Sequence, residues 1–120
     1  MYDSQDSIGR GSGIRITERG QAQMESIVAK IIFQEEKIEE ALAAIKELMA
    51  EVAKEEGTVL YTLNREPNHP ATLIMMERYK DKAALKTHST TPYFKAFFKK
   101  AVPWMAKEPE ITIMEELASI

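Results

Sequence analysis

The sequence has no cysteine among its 120 residues. Disulfides, thiolate nucleophiles and zinc–thiolate sites are therefore excluded. The lack fits a reducing compartment, and a cytoplasmic location is the expectation. Positive charge is not in excess. Sixteen Lys and Arg stand against 19 Asp and Glu, for a net charge of −3. A nucleic-acid partner would call for a basic face, so none is expected. No apolar run approaches the roughly 18 residues that span a bilayer. The N-terminus lacks the basic start and apolar stretch of a secretion signal, and no membrane partner is expected. Absent too are a GxGxxG after a strand and a phosphate-cradling loop. The two histidines, His69 and His88, lie far apart and do not make a convincing metal site. Any oxygenase built from this chain is therefore expected to need no cofactor.

Glycine is scarce where structure is expected. Gly9, Gly11, Gly13 and Gly20 all fall in residues 1–23, beside Ser, Gln and Asp without helical or strand period. That stretch reads as a flexible leader, either a tag or an extension upstream of a natural start at Met24. Residues 24–120 read as one domain. Hydrophobic residues make up 44% of the chain. That is enough for a small core, and a small core predicts a partner surface.

After Met24 the patterns are regular. Residues 25–33 are apolar and β-branched and predict a strand. Residues 34–56 predict a long helix with Ile38, Leu42, Ile45, Met49 and Val52 on one stripe, closed by Gly57 in a left-handed conformation. Residues 58–65 alternate, with Val59, Tyr61 and Leu63 on one face. A turn over 66–70 leads into a partner strand over 71–79. Asp81 is placed to cap a short helix over 82–89. Thr91 with Pro92 starts another, which carries Phe94, Phe97, Phe98 and Ala101 on one side and ends or bends at Pro103. A last strand follows Pro109, over 110–117. The order β-α-β-β-α-α-β is a split βαβ, a ferredoxin-like α+β fold with a four-stranded antiparallel sheet. Helices on one face leave the other needing cover, and a second copy is the simplest cover.

The stretch from Glu77 to His88 carries a more specific pattern. It has an acid two residues before the aromatic Tyr79, the capping Asp81, the Ala84-Leu85 pair and then His88, with Thr91-Pro92-Tyr93-Phe94 beyond. Gly57 followed by a strand containing Tyr61 agrees with it. This resembles the antibiotic biosynthesis monooxygenase family, also called quinol monooxygenase-like, over residues 24–117. The resemblance implies a homodimeric α+β barrel with sheets facing each other and a pocket between sheet and helices in each subunit. It implies several activities. Some members oxygenate quinols or polyketide anthrones without metal or flavin, relatives degrade haem, and others isomerise a small phosphorylated metabolite. The haem-degrading pattern is not met here. Residues 26–31 of the first strand contain no Asn, Phe97 and Phe98 stand where a helical His is wanted, and Tyr79 replaces the pocket-wall Trp.

His88 is the foremost candidate for chemistry, because histidine suits proton transfer at neutral pH. Most of that weight comes from the family pattern. Glu77 shares a strand face with Met75 and Tyr79, and is a candidate base or a helper that orients His88. Tyr61 and Tyr79 could hold a substrate oxygen. Phe94, Phe97 and Trp104 would wall an aromatic substrate. His69 belongs to the turn. Asn64 and Arg65 read as turn residues, and the lysines around the last helices as a solvated face. The function expected is a cofactor-free monooxygenase acting with dioxygen on a small quinol or hydroxylated polycyclic aromatic. The alternatives are an isomerase of a small phosphorylated metabolite and a non-enzymatic ligand-binding or stress module.

Overall fold

The computed structural model describes residues 13–16 and 23–120. Strand β1 (Arg15–Ile16) pairs antiparallel with β6 (Ala118–Ser119). The other elements are β2 (Glu25–Ile32), a 3-10 turn (Glu35–Lys37), α1 (Ile38–Val52), β3 (Thr58–Glu66), β4 (His69–Tyr79), α2 (Lys82–Ser89), α3 (Pro92–Ala101), a second 3-10 turn (Val102–Trp104) and β5 (Glu110–Glu115). The four long strands form one antiparallel sheet in the order β3-β4-β2-β5. This is the expected split βαβ. The leader assigned to residues 1–23 lies mostly outside the described residues. Within it, Arg15 and Ile16 pair with Ser119 and Ala118.

The sheet is two-sided for a readable reason. Side chains alternate along a strand, so one face of β2 and β4 is apolar and buried. Ile27, Ala29 and Ile31 of β2 face the helices beside Leu73, Met75, Glu77 and Tyr79 of β4. Tyr61 and Leu63 of β3 join them across Glu77 and Met75. Val59 does not, because a register shift between Thr58 and Leu60 breaks the alternation, and its side chain is exposed. The 66–70 turn is tighter than expected. Only Pro67 and Asn68 form it, and Pro70 sits where the β3–β4 register shifts again, a bulge position that tolerates a missing N–H.

Helix α1 buries Ala41, Ala44, Ile45, Leu48 and Val52. Ile38, Leu42 and Met49 of the expected stripe lie on its flanks, partly buried. The buried face therefore keeps Ile45 and Val52 of the expected stripe and adds Ala41, Ala44 and Leu48, the alanines letting the helix pack closely. The helix also stops at Val52, short of Gly57. Gly57 is not left-handed; among the described residues only Gly13 is. A Cβ at position 57 would lie 2.3 Å from the Ala84 Cβ. Gly57 is there for close approach of the α1–β3 connection to α2.

Both later helices start as expected. The Asp81 carboxylate accepts from Ala84 N–H at 2.7 Å, and the Thr91 hydroxyl accepts from Phe94 N–H at 3.2 Å, each satisfying a free amide of a first turn. These caps fix where α2 and α3 begin, and so where His88 and Phe94 point.

Candidate active site

A cavity of about 460 Å³ lies between the sheet and the last two helices. Its floor is Ile27, Ala29, Ile31, Met75 and Glu77, and its roof is Leu85, His88, Phe94, Phe97 and Phe98. Tyr61 closes one side. On the other side are Ile111 and Ile113 of β5, which share the sheet face of Ala29 and Ile27 and stand half exposed.

His88 is 2% exposed. Its ring packs between Phe94, Tyr79 and Tyr61, with centroids 4.7, 5.3 and 5.7 Å away. Nδ1 lies 3.2 Å from both carboxylate oxygens of Glu55. Nε2 is buried and has no hydrogen-bond partner among the described residues. Glu55 also accepts from the Thr58 hydroxyl at 2.9 Å and from the Tyr93 hydroxyl in a short contact. The Tyr93 phenol is pushed up to about 12, first by burial and then by that bond.

Glu77 forms a second buried unit. Its carboxylate accepts from the Tyr79 hydroxyl at 2.7 Å. Burial raises its pKa above the usual carboxylate range, against the opposing pull of the Tyr79 bond and the nearby His88. The phenols of Tyr61 and Tyr79 are held well above their ordinary value, chiefly by burial and next by the charge of Glu77. Both remain hydrogen-bond donors through any physiological pH.

Of the expected site residues, His88, Glu77, Tyr61, Phe94 and Phe97 line one cavity. Tyr79 is fully buried, in ring contact with His88. Trp104 is not among the lining residues. It belongs to the second 3-10 turn, where Lys100 sits over its ring at 5.9 Å. The carboxylate bonded to His88 is Glu55, not Glu77. The helix expected over 34–56 hid it, since a glutamate on a Glu-rich helix reads as solvated. The available signal was its place two residues before Gly57, the one glycine after position 24. Among the described residues, no three His, Asp or Glu side chains gather as they would around a metal ion. No helix there is long and apolar enough to cross a membrane.

The model of the antibiotic biosynthesis monooxygenase family matches residues 24–100. A Bacillus subtilis (strain 168) protein, YcnE, itself only provisionally assigned as a monooxygenase, is 36% identical over 72 residues, which are 60% of this chain and 76% of that one. A Caulobacter crescentus CB15 structure, provisionally assigned as an antibiotic biosynthesis monooxygenase, superposes with a TM-score of 0.77 at 32% identity, over 80% of this chain and 92% of that one. A conserved protein from Methanosarcina mazei Go1 gives 0.76 at 33% identity, over 78% and 93%.

Proposed function

This chain belongs to the antibiotic biosynthesis monooxygenase family, and from that premise we propose that it is a cofactor-independent monooxygenase of a small quinol or hydroxylated polycyclic aromatic. Family membership and the names of the relatives support monooxygenase-type activity in general. The observation that carries the finer reading is His88 in the lining of an aromatic-walled cavity, with its buried Nε2 left without a partner among the described residues.

The chemistry asks little else of the protein. His88 takes a proton from an activated O–H or C–H of the substrate. The resulting electron-rich anion passes one electron to dioxygen, and the substrate radical and superoxide combine to form a C–O bond. The imidazolium returns its proton to the peroxide. O–O cleavage then leaves one oxygen in the product as a carbonyl and the other as water, so that a CH₂ and O₂ give C=O and H₂O. The Tyr61 hydroxyl at the cavity wall can donate to a second substrate oxygen where negative charge gathers. Phe94, Phe97 and Phe98 offer faces for a flat ring and keep water from the anion.

The same reading includes a homodimer. The sheet face away from the helices carries Val28 and Ile74, partly buried, and Leu60, Met76 and Met114, exposed at 38, 47 and 38%. These apolar side chains, set among Ser26, Lys30, Thr62 and Arg78 on the same face, fit a second copy laid sheet to sheet.

The test is oxygen uptake by metal-stripped protein with a panel of quinols and anthrone-like compounds, corrected for autoxidation. Uptake above background that His88→Ala abolishes supports the reading. Absence of uptake across the panel, or full uptake by the variant, overturns it.

A further inference from the structure

We propose that Glu55 is the positioning residue of this cavity. It holds the Nδ1–H of His88 and thereby presents the Nε2 lone pair to the substrate. The assignment deepens the reading of His88 as the base, but its first test does not depend on that reading.

The hydrogen-bond inventory decides the tautomer. Glu55 has two oxygens and three neighbours: Nδ1 of His88, the Thr58 hydroxyl and the Tyr93 hydroxyl. The two hydroxyls both donate to it. An ionised carboxylate accepts only, so Nδ1 must be the third donor. In a neutral imidazole the other nitrogen is then the acceptor. The opposite tautomer would bury an Nε2–H that has no acceptor among the described residues, and would set the Nδ1 lone pair against a carboxylate. A hydrogen bond to an ionised acceptor is about twice as strong as a neutral one. Both terms favour Nδ1–H.

The carboxylate has little freedom to leave. The side chains of His88 and Glu55 are 3% and 10% exposed. Thr58, three residues on, and Tyr93, at the start of α3, hold Glu55 from two elements. Glu77 cannot serve instead, since its described hydrogen bond is to Tyr79. Once Nε2 accepts a proton, Glu55 has a second role. An imidazolium alone in an apolar cavity is costly, whereas one bonded to a carboxylate forms a pair of no net charge.

The experiment is nitrogen-15 NMR on the full chain labelled at histidine, where His69 and His88 give the only two imidazole spin systems. In the wild-type protein His88 is expected as the single Nδ1–H tautomer. In Glu55→Gln the amide keeps the shape but offers one acceptor fewer, and that population is expected to fall. A wild-type His88 protonated at Nε2, or a Glu55→Gln spectrum with Nδ1–H fully retained, overturns the proposal. The wild-type spectrum decides even if the variant folds poorly. With a turned-over substrate in hand, Glu55→Gln should lower kcat by about tenfold or more with KM nearly unchanged, given that general bases contribute about 10²–10⁴. Glu55→Asp, which keeps the charge, should recover part of that loss. Unchanged kcat in Glu55→Gln would overturn the role. If no substrate is ever oxygenated, the function reading falls while the tautomer result still decides on Glu55.

Discussion

Gly57→Ala should separate packing from backbone freedom as the reason for this glycine. The added Cβ would meet the Ala84 Cβ at 2.3 Å and its Cα at 3.3 Å, where ordinary contact begins at 3.4 Å. The first of these contacts has no flexible end that could swing aside, because both atoms sit directly on backbone. Helix α2 or the α1–β3 connection must therefore move by about 1 Å. Overpacking of this kind costs typically about 1–3 kcal/mol. Loss of glycine entropy from the unfolded chain offsets about 0.4–1 kcal/mol, since position 57 needs no positive φ. A net loss of about 1–2 kcal/mol is expected, or roughly 4–8 °C in Tm for a domain this size. Urea titration with an unchanged m-value would measure it. Ala84→Gly alone should cost up to about 1 kcal/mol of helix propensity. In the Gly57→Ala/Ala84→Gly double variant it should instead relieve the first substitution, giving a coupling of opposite sign. Gly57→Ala within about 0.5 kcal/mol of wild type, or a double variant that is simply additive, would refute the close-approach account.

Two further outcomes test the cavity and the sheet. Burial raises the pKa of Glu77 above its ordinary value, so between the unfolded and native values the native state keeps a proton that the unfolded chain has lost. The contribution of Glu77 to stability is then fully present below its unfolded value and is lost as pH rises through the raised native value, by at most about 1.4 kcal/mol per pH unit for one proton. Glu77→Gln should lack that decline, and parallel stability curves for the two proteins from pH 4 to 8 would count against it. Light scattering after size exclusion should give twice the 13.6 kDa chain mass, and Met76→Glu on the sheet face away from the helices should shift it toward the monomer. A wild-type monomer at micromolar concentration would remove the sheet-to-sheet reading.

The elements whose signals are local were legible in the sequence. Asp81 and Thr91 cap α2 and α3 because a side-chain oxygen three residues before a free amide is a complete instruction in itself. The alternation of β2 and β4 needs only the period of a strand. What was not legible depends on contacts between elements. Ile45 and Val52 were legible as facing inward, but alanine carries little hydrophobic signal, so the rotation of the buried face of α1 toward Ala41 and Ala44 had to be seen. The register shift that exposes Val59 leaves no trace in an alternating segment. Trp104 and Phe97 are both aromatic and seven residues apart, yet one lies on a 3-10 turn and the other in the roof of the cavity. Glu55 is the most instructive miss. On an ideal helix running to position 56 it is one acid among many. Only where the helix stops at Val52 does it turn inward to His88, which lies 33 residues further on.

That separation ties the site to the fold. Glu55 ends the α1 connection, His88 sits in α2, and Tyr93 begins α3. Their contacts form only when all three segments dock, and Gly57 sets how closely the first two approach. The two perturbations should therefore leave different signatures. Glu55→Gln alters the His88 tautomer while the backbone contacts around Gly57 stay in place. Gly57→Ala moves the backbone, and a displacement of about 1 Å would carry the 3.2 Å contact between Nδ1 and Glu55 beyond hydrogen-bond range. It should lower stability and scramble the tautomer together. A Gly57→Ala protein that loses stability yet keeps His88 wholly as Nδ1–H would mean that Thr58 and Tyr93 hold Glu55 on the imidazole without help from the α1–α2 approach. The glycine would then serve the fold alone.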